Sequence, residues 1–112
     1  MKVYAFSSKL AKEIGVVEAT FLQLLYQVIR ENEKLCIIED GVFWFPCAIK
    51  EWNQYIDLWS YRQIDRIAHN CLLKHVLYLR HYDVDEKRRR GWYGISKKVI
   101  PLLKQVNDAI GE

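Results

Sequence analysis

One stretch of this chain leaves little freedom in how it folds: Ala48 to His75, AIKEWNQYIDLWSYRQIDRIAHNCLLKH. Ser60 followed three residues later by Gln63 is the S-x-x-Q pattern of a capping box. In that box each side chain satisfies a backbone N–H that the first helical turn leaves open. Beyond it Ile64, Ile67, Ala68 and Cys71 fall at i, i+3, i+4 and i+7, an apolar stripe of helical period. Arg62, Arg66, His69 and Asn70 fall on the other side. Ahead of the cap, Trp52 and Ile56 face inward from a shorter helix, and Leu58 or Trp59 fills the turn between. A helix anchored on one side and basic on the other can lay its first turns against phosphates and base edges. The stretch predicts a helix-turn-helix.

The rest of the chain arranges itself around that unit. Val3 to Phe6 reads as a short strand or an arm on the core. Ser7 or Ser8 caps a helix carrying Leu10, Ala11 and Ile14, which Gly15 ends. From Val17 to about Asn32, the residues Phe21, Leu22, Leu25, Tyr26 and Ile29 form the stripe of a central scaffold helix. The period then changes. Cys36 to Ile38 and Val42 to Phe45 flank Asp40-Gly41, the strongest short-range hairpin signal, and Pro46 is expected to close the second strand. After the helix-turn-helix, Val76 to Tyr82 and Gly91 to Ile95 read as paired strands around a charged loop, Asp83 to Arg90. Ser96 to Ile110 carries Val99, Leu102, Leu103, Val106 and Ile110 at helical spacing, and Pro101 places the helix start near Ile100. No repeat or linker interrupts residues 1–112. The fold class expected is α+β, mainly helical: one winged-helix domain with an extra β-hairpin.

Composition narrows the chemistry. With 112 residues, 51% hydrophobic and 28% charged, a single core can form. A net charge of +3 permits a nucleic-acid partner without demanding one, so the positions of the charges decide. Three cysteines, Cys36, Cys47 and Cys71, stand at long spacings with no C-x-x-C pair. Neither a disulfide framework nor a zinc site is indicated, and a reduced, cytoplasmic setting fits. The N-terminus lacks a signal-peptide pattern and no stretch approaches a membrane span.

The order of residues also resembles a known family. Ala11-Lys12-Glu13-Ile14-Gly15, Glu18-Ala19 and Leu22-Gln23 look like the opening of winged-helix domains in phage and plasmid replication proteins, the replisome-organiser, DnaD-like N-terminal domains. Asp40-Gly41, Trp44, Glu51-Trp52, Trp59-Ser60, Arg62, Ile64, Arg66-Ile67 and Trp92-Tyr93 before Ile95 continue the likeness. The resemblance implies origin-DNA binding in replication initiation, often within an oligomer. It departs in two places. The family usually has Gly where His75 stands, a position His fills less easily. Family members generally carry a further C-terminal region that contacts the helicase or its loader, and this sequence ends at Glu112.

The residues expected to bind double-stranded DNA are Ser60, Tyr61, Arg62, Gln63, Arg66, His69 and Asn70 from the recognition helix, with Lys87, Arg88, Arg89 and Arg90 from the loop. Arg62 and Arg66 share one helix face, with Asp65 near enough to pair with either. Four successive cations repel one another, a cost that a polyanion relieves. Tryptophans 44, 52, 59 and 92 are read as core rather than as base-stacking platforms. No catalytic residues, metal ligands or cofactor are expected: His69 and Cys71 point to different helix faces, and His75 and His81 have no carboxylates at ligand spacing. The leading reading is a duplex-DNA-binding protein of a phage or mobile element, acting in replication initiation or its regulation. Its alternative is a small winged-helix protein-interaction module that inhibits or regulates host machinery. A homodimer through Leu73 or the last helix, and a replication protein of the host, are the protein partners expected.

Overall fold

The computed structural model of the protein describes residues 5–81 and 90–110. The chain forms α1 (Ser8–Ile14), α2 (Val16–Glu31), β1 (Ile37–Glu39), β2 (Val42–Cys47), α3 (Tyr61–Leu73), β3 (Leu77–Arg80), β4 (Gly91–Ile95) and α4 (Ile100–Ala109). Two 3-10 helices, Glu33–Leu35 and Ile49–Gln54, sit between them. The four strands form one antiparallel sheet in the order β1-β2-β4-β3. This is an α+β fold.

Local chemistry accounts for most boundaries. Ser7 caps α1, its hydroxyl accepting from the Leu10 N–H at 3.2 Å. Gly15 ends α1 and starts α2 at φ 105 and ψ 152, a conformation open only to glycine. The β1–β2 turn is made by Asp40 and Gly41, with φ 56 and 74, and Glu39 pairs with Val42 across it. Two positive φ values in a two-residue loop are what the right-handed twist of the flanking strands requires.

Pro46 departs from expectation. It lies inside β2, opposite Trp92, and does not close the strand. The reason is register: β1 pairs only with Val42 to Trp44, so beyond Trp44 one flank of β2 is open. A residue without an N–H costs nothing on an open flank. A second departure precedes α3, where the chain forms a six-residue 3-10 helix instead of an α-helix. The Asn53 side-chain amide donates to the carbonyls of Ile56 at 3.1 Å and Trp59 at 2.8 Å, which fastens a turn there. Half of the Val3-to-Phe6 arm, Tyr82 and most of the 83–90 loop lie outside the described residues.

The core forms where α2 and α3 meet the inner face of the sheet. Leu22, Leu25, Trp52, Ile64, Ile67 and Cys71 belong to one buried cluster, as the helical spacings predict. Trp52 is its keystone, 5.6 Å edge-on to Phe21 and 5.0 Å from Tyr93. The outer sheet face has a smaller cluster of Val42, Trp44 and Trp92, with the Arg80 guanidinium 4.2 Å over Trp44. Trp44, Trp52 and Trp92 are therefore core, and Trp59 packs half-buried against it. Buried Leu103 and Asn107 hold α4 to α2: the Gln23 side-chain amide donates to the Leu103 carbonyl at 2.9 Å and to Asn107 Oδ1 at 2.8 Å.

Candidate nucleic-acid interface

Helix α3 presents the only outward face that the sequence singles out, and its two ends explain how that face is held. At the start, Ser60 Oγ accepts from the Gln63 N–H at 3.2 Å while Gln63 Oε1 accepts from the Ser60 N–H at 3.0 Å. The capping box is formed, so Ser60 and the Gln63 carbonyl oxygen are occupied in holding the helix. At the end, His75 adopts φ 59. Its N–H donates to the Leu72 carbonyl at 3.1 Å, and the Val76 N–H donates to the Cys71 carbonyl at 3.2 Å. That is a Schellman closure with histidine in the place glycine usually takes. The chain turns at once into β3, which sets the β3–β4 hairpin beside α3.

Between α3 and the hairpin runs an open groove. Arg62, Asp65, Arg66 and His69 line it from the helix, with Leu79 and Tyr93 from the strands. Arg62, Arg66 and His69 are exposed and Asp65 is half-buried. Arg62 lies one turn before Asp65 and Arg66 directly after it, yet among the described residues Asp65 forms no ion pair with either arginine. The Arg62 guanidinium lies 5.9 Å over the Tyr61 ring, and Tyr61 itself packs half-buried on the core. Burial, with the Asp65 carboxylate nearby, pushes the Tyr93 hydroxyl up to about 12.

The predicted residues therefore divide. Arg62, Arg66 and His69 come together in one groove. Ser60 and Gln63 serve the cap, and half-buried Asn70 lies outside that lining. Lys87, Arg88 and Arg89 lie outside the described residues. Arg90 is held from behind: its Nε lies 3.1 Å from Glu51 Oε1, and its Nη2 donates to Glu51 Oε2 at 3.3 Å. Sequence reading passed over Asp65 and Leu79 as groove residues. The i+3 spacing of Asp65 from Arg62 was the signal available for the first; the second depends on strand placement.

Among the described residues no three His, Cys, Asp or Glu side chains gather as a metal site would need. All three cysteines are free thiols, and burial pushes Cys36 up to about 11 and Cys47 and Cys71 up to about 12, far from nucleophilic range. Among the described residues no helix is long and apolar enough to cross a membrane. Comparison with protein-family models, curated proteins and solved structures finds no match to this chain.

Proposed function

We propose that the protein is a winged helix that binds double-stranded DNA through α3 and the β3–β4 hairpin. The order of elements supports this reading: a scaffold helix, a first hairpin, a turn, a capped helix, then a second hairpin whose inner strand β4 pairs back onto β2. The observation that carries it is the groove, in which Arg62, Arg66 and His69 stand exposed on one face of a helix anchored by its opposite side. Cations that the protein leaves without carboxylate partners are what phosphates and base edges bind. A role in replication initiation or its regulation, in a phage or mobile element, follows from the resemblance to replisome-organiser domains.

A second reading is a protein-interaction module. It draws on Leu73, 64% exposed at the end of the same helix, and on the modest net charge of +3. Titration of a fluorescent duplex at several salt concentrations separates the two. Duplex binding that weakens linearly in log salt, and weakens further in the Arg62→Ala, Arg66→Ala double variant, supports the DNA reading. Absence of duplex binding at low salt overturns it and favours the protein partner.

A further inference from the structure

Asp65 is the unexpected member of the groove. A carboxylate facing a polyanion weakens binding to every duplex, and an arginine one turn away would ordinarily neutralise it. Here Arg62 and Arg66 flank it without pairing, and all three side chains line the groove separately. We propose that Asp65 is a specificity residue, selecting cytosine within a G·C-rich core whose guanines are taken by Arg62 and Arg66. The proposal rests on the duplex reading above.

The chemistry follows from the edges that bases show in the major groove. An ionised carboxylate can only accept hydrogen bonds. Guanine offers the acceptors N7 and O6, and thymine offers O4 and a methyl group, so both repel it or leave it unpaired. Adenine has an N6 donor, but its N7 acceptor lies alongside. Cytosine presents the N4 amino group with no adjacent acceptor on its own edge, and is the base that best repays desolvating Asp65. Guanidinium groups have the opposite preference and bind guanine O6 and N7 in pairs.

The spacing suits one short core. Residues 62, 65, 66 and 69 lie on one face, and at about 1.5 Å per residue they span roughly 10 Å of helix. That length matches about three to four base pairs at roughly 3.4 Å each. The rest of the lining offers little to a base: Ala68, Leu72 and Leu79 are apolar and Tyr93 is buried. The polar reading is thus confined to the four side chains.

Selection from a randomised duplex pool tests this with the wild-type chain and with Asp65→Asn. Asparagine has the same shape, no charge, and a bidentate fit to adenine N6 and N7. Asp65 makes no side-chain hydrogen bond within the described residues, so the variant is expected to melt as wild type does. Wild type should enrich a short G·C core, and changing the cytosine opposite Asp65 should weaken binding about tenfold or more. Asp65→Asn should exchange that cytosine for adenine, leave the flanking guanines in place, and bind random duplex more tightly than wild type. If wild type enriches a core without that cytosine, or Asp65→Asn enriches the same core as wild type, the inference fails while the duplex reading stands. If wild type binds the pool without enriching any core, the inference fails and the duplex reading stands; if it retains no duplex even at low salt, the duplex reading fails, and this inference with it.

Discussion

The Arg90 guanidinium lies 3.1 Å from the Glu51 carboxylate across 39 positions of sequence, tying the loop end of β4 to the 3-10 helix before α3. Glu51 Oε1 also accepts from the Ala48 N–H at 2.9 Å, so one carboxylate caps the 3-10 helix and holds the hairpin. Glu51→Ala removes both contacts and should cost about 1–2 kcal/mol, most of it from the lost cap. Arg90→Ala removes only the pair and should cost less. Urea unfolding of the two single variants and the double variant gives the coupling directly.

His75 pays backbone strain to close α3. At φ 59 a side chain with a Cβ is disfavoured, and glycine is not. His75→Gly should therefore stabilise the protein by about 0.5–1 kcal/mol, the relief being partly offset by greater freedom in the unfolded chain. His75→Val, β-branched, should destabilise it. The check is a shift of the urea midpoint at constant slope.

The elements fixed by short-range chemistry were legible in the sequence. The Ser60–Gln63 box and the Asp40-Gly41 turn each need only neighbours, and both form. The stripe of Ile64, Ile67 and Cys71 predicted its own burial because helical period alone determines it. What escaped depended on partners far along the chain. The Gln23–Asn107 contact joins side chains 84 positions apart, and nothing local distinguishes Asn107 from an exposed polar residue. Pro46 reads as a strand end until the registers of β1 and β4 are known. Arg90 reads as part of a free cationic run until Glu51 is placed behind it. In the groove, the arginines were legible from spacing, whereas the strand residues facing them were not.

Alkaline pH should loosen the fold. An ordinary thiol titrates near 9.0, whereas burial holds Cys47 and Cys71 up to about 12, and Tyr93 is raised in the same sense from 10.0. Above pH 9 the unfolded chain has lost protons that the folded chain still keeps, so each rise in pH favours unfolding. The stabilisation is complete below pH 9 and is lost progressively towards pH 12. Unfolding free energy should stay level between pH 7 and 8, so far as these groups set it, and decline from about pH 9. Cys47→Ala, whatever its own offset, should show a shallower decline in the same series of melts.

If the proposed duplex binding holds, salt dependence should distinguish Arg66 from Arg90. If Arg66 meets the duplex, Arg66→Ala should lower the slope of log affinity against log salt by up to about 0.9. Arg90, whose charge Glu51 already balances, should change that slope little when replaced by alanine. As guanine readers, Arg62 and Arg66 should each also cost about 1–3 kcal/mol on a preferred sequence, and far less on scrambled DNA, when replaced by alanine. Equal slope changes for Arg66 and Arg90 would contradict the division drawn from their surroundings.

Strand β2 serves its two neighbours in turn: Val42 to Trp44 pair with β1, and Phe45 to Cys47 pair with β4. In the backbone ladder the two hairpins are thus links in series, joined through β2 rather than laid side by side. Fraying of the first removes no ladder partner from the second, so the amides of Gly91 to Ile95 can stay protected from solvent exchange while those of Ile37 to Glu39 open and close. A second consequence is mechanical. Within the ladder, the β3–β4 hairpin meets the rest of the sheet through only three residue pairs with β2, one of them at a proline that donates no hydrogen bond, so side-chain ties such as Arg80–Glu39 and Arg90–Glu51 help set its attitude.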